Sequence, residues 1–272
     1  MERSHLRFFN LAKLMEIKNL FKPFQVIKNN QRWLLVLFWV GMVGIWWVVG
    51  TSGRGSLLPS PGMVMSGMQS LWNEGLIVHI LSSLRLCLQA TLISLVISLT
   101  LAYLSPVPFM RPVANFLSQL RYLPLTGITF YLAMVVSDAR TMQVWVLVVF
   151  MSLYFVTSLL GVIRDIPQEE IDHARSLGCS RWEVLKEVVI KGRFDYVIEV
   201  LRQNLAITWM MLVTVESILV AAGGLGVLIK NSDRFMNHGR ILALQIVILL
   251  VGLGIDVFLN YLRKTLFRYS RI

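Results

Sequence analysis

Cysteine is almost missing from this sequence, with Cys87 and Cys179 the two in 272 residues. They lie 92 positions apart, Cys87 inside an apolar run, which excludes a disulfide framework and a CxxC metal or redox site. Charge is also scarce, at 15% of residues against about 25% in an ordinary soluble chain. No GxxxxGKS or GxxxxGKT run occurs, so the chain does not cradle nucleotide phosphates by the usual loop. His79 and His173 have no ligating partner at helical spacing, and neither reads as a metal ligand; no cofactor or metal is expected in this chain. What the sequence has instead is apolar surface: 56% apolar residues, with 14 Phe, 8 Trp and 7 Tyr, and a mean hydropathy of +0.67. A water-soluble fold of this size could not bury so much. The 26 Lys and Arg against 15 Asp and Glu give +11, a balance that also suits nucleic acid. Most of that excess sits at the ends of apolar runs, so it points to membrane topology and no nucleic-acid partner is expected.

Six segments meet the length of roughly 20 apolar residues that a helix needs to cross hydrocarbon. Trp33 to Gly50, Leu86 to Leu104 and Thr141 to Ile163 carry no charge. Pro112 to Ser137 carries only Arg121, Gln203 to Ile229 only Glu216, and Ile241 to Leu262 only Asp256. These runs are too continuous for alternating barrel strands, so the expectation is an all-α polytopic membrane protein with six transmembrane helices. Lys and Arg number seven in residues 1–32, one in 105–113, six in 164–195 and four after Leu262, 18 on one side. The opposite loops hold five, namely Arg54, Arg140, Lys230, Arg234 and Arg240. The positive-inside rule then puts both termini in the cytoplasm. The first span follows a 32-residue basic leader and lacks a small-residue cleavage pattern, so it is expected to stay as an anchor.

The domain organisation follows from these runs. Residues 1–32 are a basic segment in which Leu11, Leu14 and Met15 recur at helical spacing among Lys13, Lys18 and Lys22. It suits a helix lying on anionic lipid or a frayed basic tail. Residues 33–50 are the first span and 51–85 an external loop. In that loop Ser60 and Pro61 open a short helix whose apolar stripe is Val64, Met65, Met68, Leu71 and Trp72. Residues 86–262 form a core of five spans, and 263–272 a basic cytoplasmic tail.

The densest helix punctuation lies in 164–195, between the fourth and fifth spans. Asp165 and Pro167 are start signals, Glu169 and Glu170 suit the first turn, and Ile171, Ala174 and Leu177 form a stripe that stops at Gly178. Ser180-Arg181-Trp182-Glu183 is then a capping box opening a second stripe of Trp182, Leu185 and Val189. From these residues alone, the helix, glycine, helix element reads equally as a projecting functional loop or as a plain interfacial connector.

The same residues carry a resemblance. Asp172-His173-Ala174, then Gly178, then Val188 and Ile190 have the spacing of the EAA motif of ABC-importer permeases, with Ala174 and Gly178 as strict matches. Leu58-Pro59-Ser60-Pro61, His79 with Ser83-Leu84-Arg85, Leu120-Arg121-Tyr122-Leu123-Pro124, and Trp209 with Glu216 ahead of Gly224-Leu225-Gly226 agree in order. Together they resemble the nitrate, sulfonate, taurine and bicarbonate permeases over roughly residues 57–262. The sequence departs from that family where Lys191 and Asp195 replace prolines and where Thr126-Gly127-Ile128-Thr129 replaces a Pro-rich turn, which marks a divergent member.

The resemblance implies a type I ABC-importer permease fold with a cytoplasmic coupling helix between the fourth and fifth spans. It also implies a multi-pass permease of the bacterial inner membrane that forms the path for a small anionic solute. The implied partners are a cytoplasmic ABC ATPase that uses ATP and Mg, a second permease chain forming a homodimer, an external solute-binding protein, and membrane lipid. Asp172, His173, Ala174, Leu177, Gly178 and Trp182 would meet the ATPase, and no catalytic residue is expected in the permease itself. Arg85, Gln89, Arg121, Thr208 and Glu216, with Asp256, Thr91 and Thr214, are intramembrane polar groups that would line the path or pair between helices. For Glu216, backbone donors at Gly223, Gly224 and Gly226, or Arg85, are the candidate partners. Two alternatives are a membrane-embedded enzyme, for which the buried charges are too isolated in type and depth, and a structural membrane subunit, which has no need of the capped loop.

Overall fold

The structure is a computed structural model, and it describes residues 32–51, 59–220 and 223–266. The basic leader and the end of the basic tail lie outside the described residues. All regular structure among the described residues is helical. The chain divides into two compact units, residues 1–61 and 62–272.

In the first unit, α1 (Arg32–Thr51) carries apolar side chains exposed along its length, among them Phe38, Trp39, Ile45 and Trp47. A helix apolar on every side belongs in lipid. The Trp46 indole donates to the Pro59 carbonyl at 3.2 Å, tying its end to the following segment.

The second unit is a helical bundle. Its elements are α2 (Pro61–Asn73), α3 (Leu76–Leu104), α4 (Arg111–Gln119), α5 (Leu125–Val135), α6 (Ala139–Arg164), α7 (Gln168–Ser176), α8 (Arg181–Val184), α9 (Phe194–Ile218), α10 (Leu225–Arg234) and α11 (His238–Leu266). Among the described residues, three helices are by themselves long and apolar enough to cross a membrane, namely α3, α6 and His238–Thr265 of α11. Segments Val36–Thr51 of α1 and Thr126–Val135 of α5 are apolar but shorter.

Several expected boundaries move. The run 112–137 is not one helix: α4 passes through a 3-10 turn at Leu120–Tyr122, and Leu123 is extended at φ −70°, ψ 137° before Pro124. Proline removes a backbone donor and disfavours the helical region for its predecessor, so the run breaks there. The second span begins at Leu76, ten residues ahead of the expected Leu86, which carries Arg85 into the third turn of α3. The fifth ends at Ile218, not Ile229, because Gly223 and Gly224 take φ of 80° and 127° and open a separate α10. In α2 the buried stripe is Val64, Gly67 and Leu71, while Met65 and Trp72 face outward. Gly67 and Gly239 are needed there because a Cβ on either would meet the backbone of the other helix at 3.0 Å or less.

Helix α6 is the hub, packing on α3, α4, α5 and α9, with Val146, Leu147, Phe155 and Val156 at most 1% exposed. Its closest partner is α3, which offers a column of small buried residues, Ser83, Cys87, Ala90, Ser94, Ser98 and Ala102. Small residues let two backbones approach, and in lipid that packing replaces the hydrophobic drive. Ser94 and Ser98 donate to the carbonyls of Val148 and Ser152, each at 3.2 Å. Such bonds contribute about 0.6 kcal/mol each in membranes.

A stronger tie joins α3, α9 and α10. Glu216 is 0% exposed, and the Ser83 hydroxyl donates to its carboxylate, at 2.8 Å from Oε1 and 2.9 Å from Oε2. The Gly226 amide donates to Oε2 at 3.0 Å, and the Leu225 amide donates to the Ser83 oxygen at 2.9 Å. The freed donors at the start of α10 therefore satisfy Glu216; Arg85 does not contact it. Alongside, the Gly224 amide donates to His79 Nδ1 at 3.1 Å and the Gln143 amide to the Leu219 carbonyl at 2.6 Å. A Cβ at Gly224 would fall 2.3 Å from the Glu216 carboxyl carbon, and one at Gly226 would fall 2.2 Å from the Val213 carbonyl oxygen.

Glu216→Gln keeps an acceptor for Ser83 and Gly226 and should preserve most of the folded protein. Glu216→Leu strands two buried donors, at about 1–3 kcal/mol each, and Gly226→Ala forces the turn apart. Both should sharply lower the yield and melting temperature of detergent-purified protein. Equal melting of Glu216→Leu and wild type would refute this account.

Candidate functional site

The loop between α6 and α9 is the part of the bundle with the most explicit helix signals. Buried Ile166 anchors its start, and Pro167 at ψ 137° is the extended residue before α7. Glu169 and Glu170 occupy the first turn and His173 and Arg175 the last, in the sense that the helix dipole favours. At the far end the Gly178 amide donates to the Arg175 carbonyl and the Cys179 amide to that of Ala174, at 3.0 and 3.3 Å. That pair of bonds is the Schellman motif, and Gly178 has the φ of 89° it requires. Nothing lies within 4 Å of a Cβ built there, so the demand for glycine is one of backbone conformation alone.

The capping box follows as expected. The Ser180 amide donates to Glu183 Oε2 at 2.7 Å, and the Glu183 amide to Ser180 Oγ at 3.3 Å. The Ser180 backbone and side-chain bonds hold the Glu183 carboxyl below the usual carboxylate range. The second stripe differs from expectation: Val184 and Val189 are buried, while Trp182 is 67% exposed. The helix also widens to a π-helix over Leu185–Lys191. That shift of register, invisible to a 3.6-residue pattern, closes at Gly192, whose amide donates to the Glu187 carbonyl at 3.0 Å. A Cβ at Gly192 would lie 2.6 Å from the Val188 carbonyl oxygen. The break before α9 therefore forms at Gly192 and Arg193, without the prolines replaced by Lys191 and Asp195.

One face of the loop collects exposed residues. Asp172 and His173 are exposed and Ala174 is half-buried, while Leu177 is 71% exposed beside Gly178. Asp172 accepts from the Gln168 amide at 3.2 Å. Arg193 grips the Glu170 carboxylate at 2.7 and 2.8 Å, so the start of α7 is tied to the start of α9.

The intramembrane polar residues separate into distinct groups. Arg202 bridges Asp256 at 2.9 Å and Glu199 at 2.8 Å, and Arg263 reaches Glu199 at 2.6 Å, joining α9 to α11. Asp256 is thus an interhelical partner, and Glu199 and Arg263, which lie just outside the apolar runs, complete the network. The signal was available, because Glu199 and Arg202 are three apart on one helix face. Arg121 stacks over the Tyr122 ring, 5.1 Å from its centroid, at the break before α5. Thr208 is buried in α9. Arg85 and Gln89 line a cleft with Arg140, beside the Glu216 knot but without Glu216 in its lining. A second groove of about 580 Å³, mostly apolar, runs between α9 and α11 past Trp209, Gly252 and Asp256.

The chain is 24% identical over 236 residues to the taurine transport system permease protein TauC of Escherichia coli K12, covering 83% of this chain and 85% of that one. It is 27% identical over 106 residues to the bicarbonate transport system permease protein CmpB of Synechococcus elongatus, covering 39% and 38% of the two chains. A chain of the MetNI methionine ABC transporter, solved in inward-facing conformations, shares the fold with a TM-score of 0.58. That likeness covers 70% of this chain and 95% of the other at 15% identity. Residues 94–268, which run from within α3 through the capped loop and α11, match the binding-protein-dependent transport system inner membrane component family. The chain therefore belongs to that family of multi-pass inner-membrane transport proteins.

Proposed function

We propose that this chain is the permease subunit of an ATP-driven importer and forms the path for a small anionic solute, of the nitrate, sulfonate or bicarbonate class, that an external binding protein delivers. ATP is hydrolysed, with Mg, on a separate cytoplasmic ATPase, and two copies of the permease enclose the path. The observation that carries this reading is the capped loop: Leu177 and Trp182 stand exposed on either side of Gly178, while the other large apolar residues of the loop, Ile166, Val184 and Val189 among them, are buried or half-buried. Exposed aromatic and aliphatic anchors of this kind suit insertion into a partner's groove. Asp172, His173 and Ala174 complete the docking face. Bonds at both ends of α7, to Arg193 and through the Schellman turn, would carry a push on that face into α9. The relatives that are permeases for taurine and bicarbonate support a solute that carries an anionic oxygen group.

The charge asymmetry supports cytoplasmic termini and a cytoplasmic coupling loop. In a background lacking Cys87 and Cys179, single cysteines at the exposed positions Ser66 and Asn237 should react with an impermeant thiol reagent from outside intact cells. Cysteines at Ser176 and Lys186 should react only after permeabilisation, and the reverse pattern would refute this orientation.

Gly178→Val places a β-branched side chain at a left-handed position, at a cost of about 1–2 kcal/mol. Insertion should persist while solute uptake and permease-stimulated ATP hydrolysis fall severalfold. Gly178→Asn, which tolerates that conformation, should retain most of both. Uptake at the wild-type rate in Gly178→Val would count against the coupling role.

A further inference from the structure

Beside the Glu216 knot, a cleft of about 500 Å³ is lined by Val78, Leu81, Ser82, Arg85, Gln89 and Arg140. It lies between the first turns of α3 and the start of α6. Two of its six lining residues are arginines and none is acidic. Arg140 is near enough to Arg85 to feel its charge. Like charges gathered at one cleft repel unless an anion sits between them. The buried Glu216 carboxylate, held by Ser83 and Gly226, weighs on Arg140 more than Arg85 does and offsets part of its charge, which leaves Arg85 as the cation of the cleft with no acidic neighbour in its lining.

The two arginines differ in a telling way. Arg140 is fixed: it donates to the Ser82 carbonyl at 2.9 Å and to Gln143 Oε1 at 3.2 Å, and its remaining donors are left over. It also sits in the first turn of α6, where the helix dipole adds positive potential. Arg85 makes no hydrogen bond or ion pair among the described residues, although it lies on a helix that crosses the membrane. Gln89, one turn further along α3 on the same face, offers an amide donor to the same space. A planar guanidinium fork matches the oxygens of a carboxylate, sulfonate or phosphate.

We infer that this cleft is an oxyanion-binding site, in which Arg140 is the fixed contact and Arg85, with Gln89, closes on the bound group. The oxyanion comes either from a transported solute or from an anionic lipid headgroup. Only the first source rests on the importer function proposed above.

The test uses the full-length chain purified in detergent, with radiolabelled taurine and sulfate as solute probes. Native mass spectrometry with phosphatidylglycerol against phosphatidylethanolamine is the lipid probe. Arg85→Gln is the clean variant, because Arg85 has no partner among the described residues, and its melting temperature should match wild type. It should weaken oxyanion binding about tenfold, the loss of one charge-assisted contact, and Arg85→Lys should recover part of it. Should Arg85→Gln fail to fold, Gln89→Leu carries the test, with a smaller loss. Loss of taurine or sulfate binding assigns the solute as source, and loss of phosphatidylglycerol selectivity assigns the lipid. Wild-type binding of all three probes by folded Arg85→Gln or Gln89→Leu would overturn the site, whether or not ATP-driven uptake occurs. Weakened binding in Arg85→Gln, with no uptake by wild-type protein reconstituted with its ATPase, would keep the site and overturn the importer function instead.

Discussion

A carboxylate with no exposed surface inside a membrane bundle is the constraint from which much of this architecture follows. Left alone in hydrocarbon, Glu216 would cost several kcal/mol. It is tolerated because α3 brings the Ser83 hydroxyl and the start of α10 brings the Gly226 amide to the same two oxygens. That requirement explains why the chain reverses sharply after α9, why glycine stands at 224 and 226, and why Ser83 is the end member of the small-residue column on α3. The column in turn lets α6 approach, and α6 supports α4, α5 and α9. One buried charge thus sets the relation of three helices, and ordinary packing extends it to the rest.

Much of this was legible in the sequence, for physical reasons that differ by element. The capped loop was readable because caps are local: Gly178 and the Ser180 to Glu183 box take the conformations their residue types favour. Span positions were readable from hydropathy only to within several residues. Hydropathy sees neither the extension of α3 back to Leu76 through Arg85 nor the proline break at Leu123. Partner choice was the least legible. Arg85 was a plausible partner for Glu216 by depth, yet the fold prefers neutral donors that arrive already oriented by the turn. The small residues at 83, 87, 90, 94, 98 and 102 were not read as a group, because small side chains carry little hydropathy signal and their use against α6 shows only in the fold.

The two ends of the bundle are held in different ways. At the Leu76 end of α3 the ties are buried, short and mostly neutral-to-charged hydrogen bonds around Ser83, Glu216 and Gly226. At the far end of α9 they are ion pairs, Arg202 with Glu199 and Asp256 and Arg263 with Glu199, joined by the Arg193 to Glu170 bridge to the loop. Partly exposed ion pairs, which water can still reach, rearrange more easily than fully buried donors, which cannot be left unmatched. The ion-paired end is therefore the softer one, and it is the end to which the capped loop is attached.

The π-helix at Leu185–Lys191 gives the loop a geometric property of its own. A π segment is an α-helix carrying a surplus residue, absorbed by widening the coil. Each residue gained or lost in such a stretch turns everything ahead of it by about 100° about the axis relative to everything behind, at 3.6 residues per turn. The bearing of Trp182 relative to α9 is therefore set by the length of this stretch as well as by its residue types. A single-residue insertion or deletion between 185 and 191 would re-aim the loop without altering any of its surface chemistry.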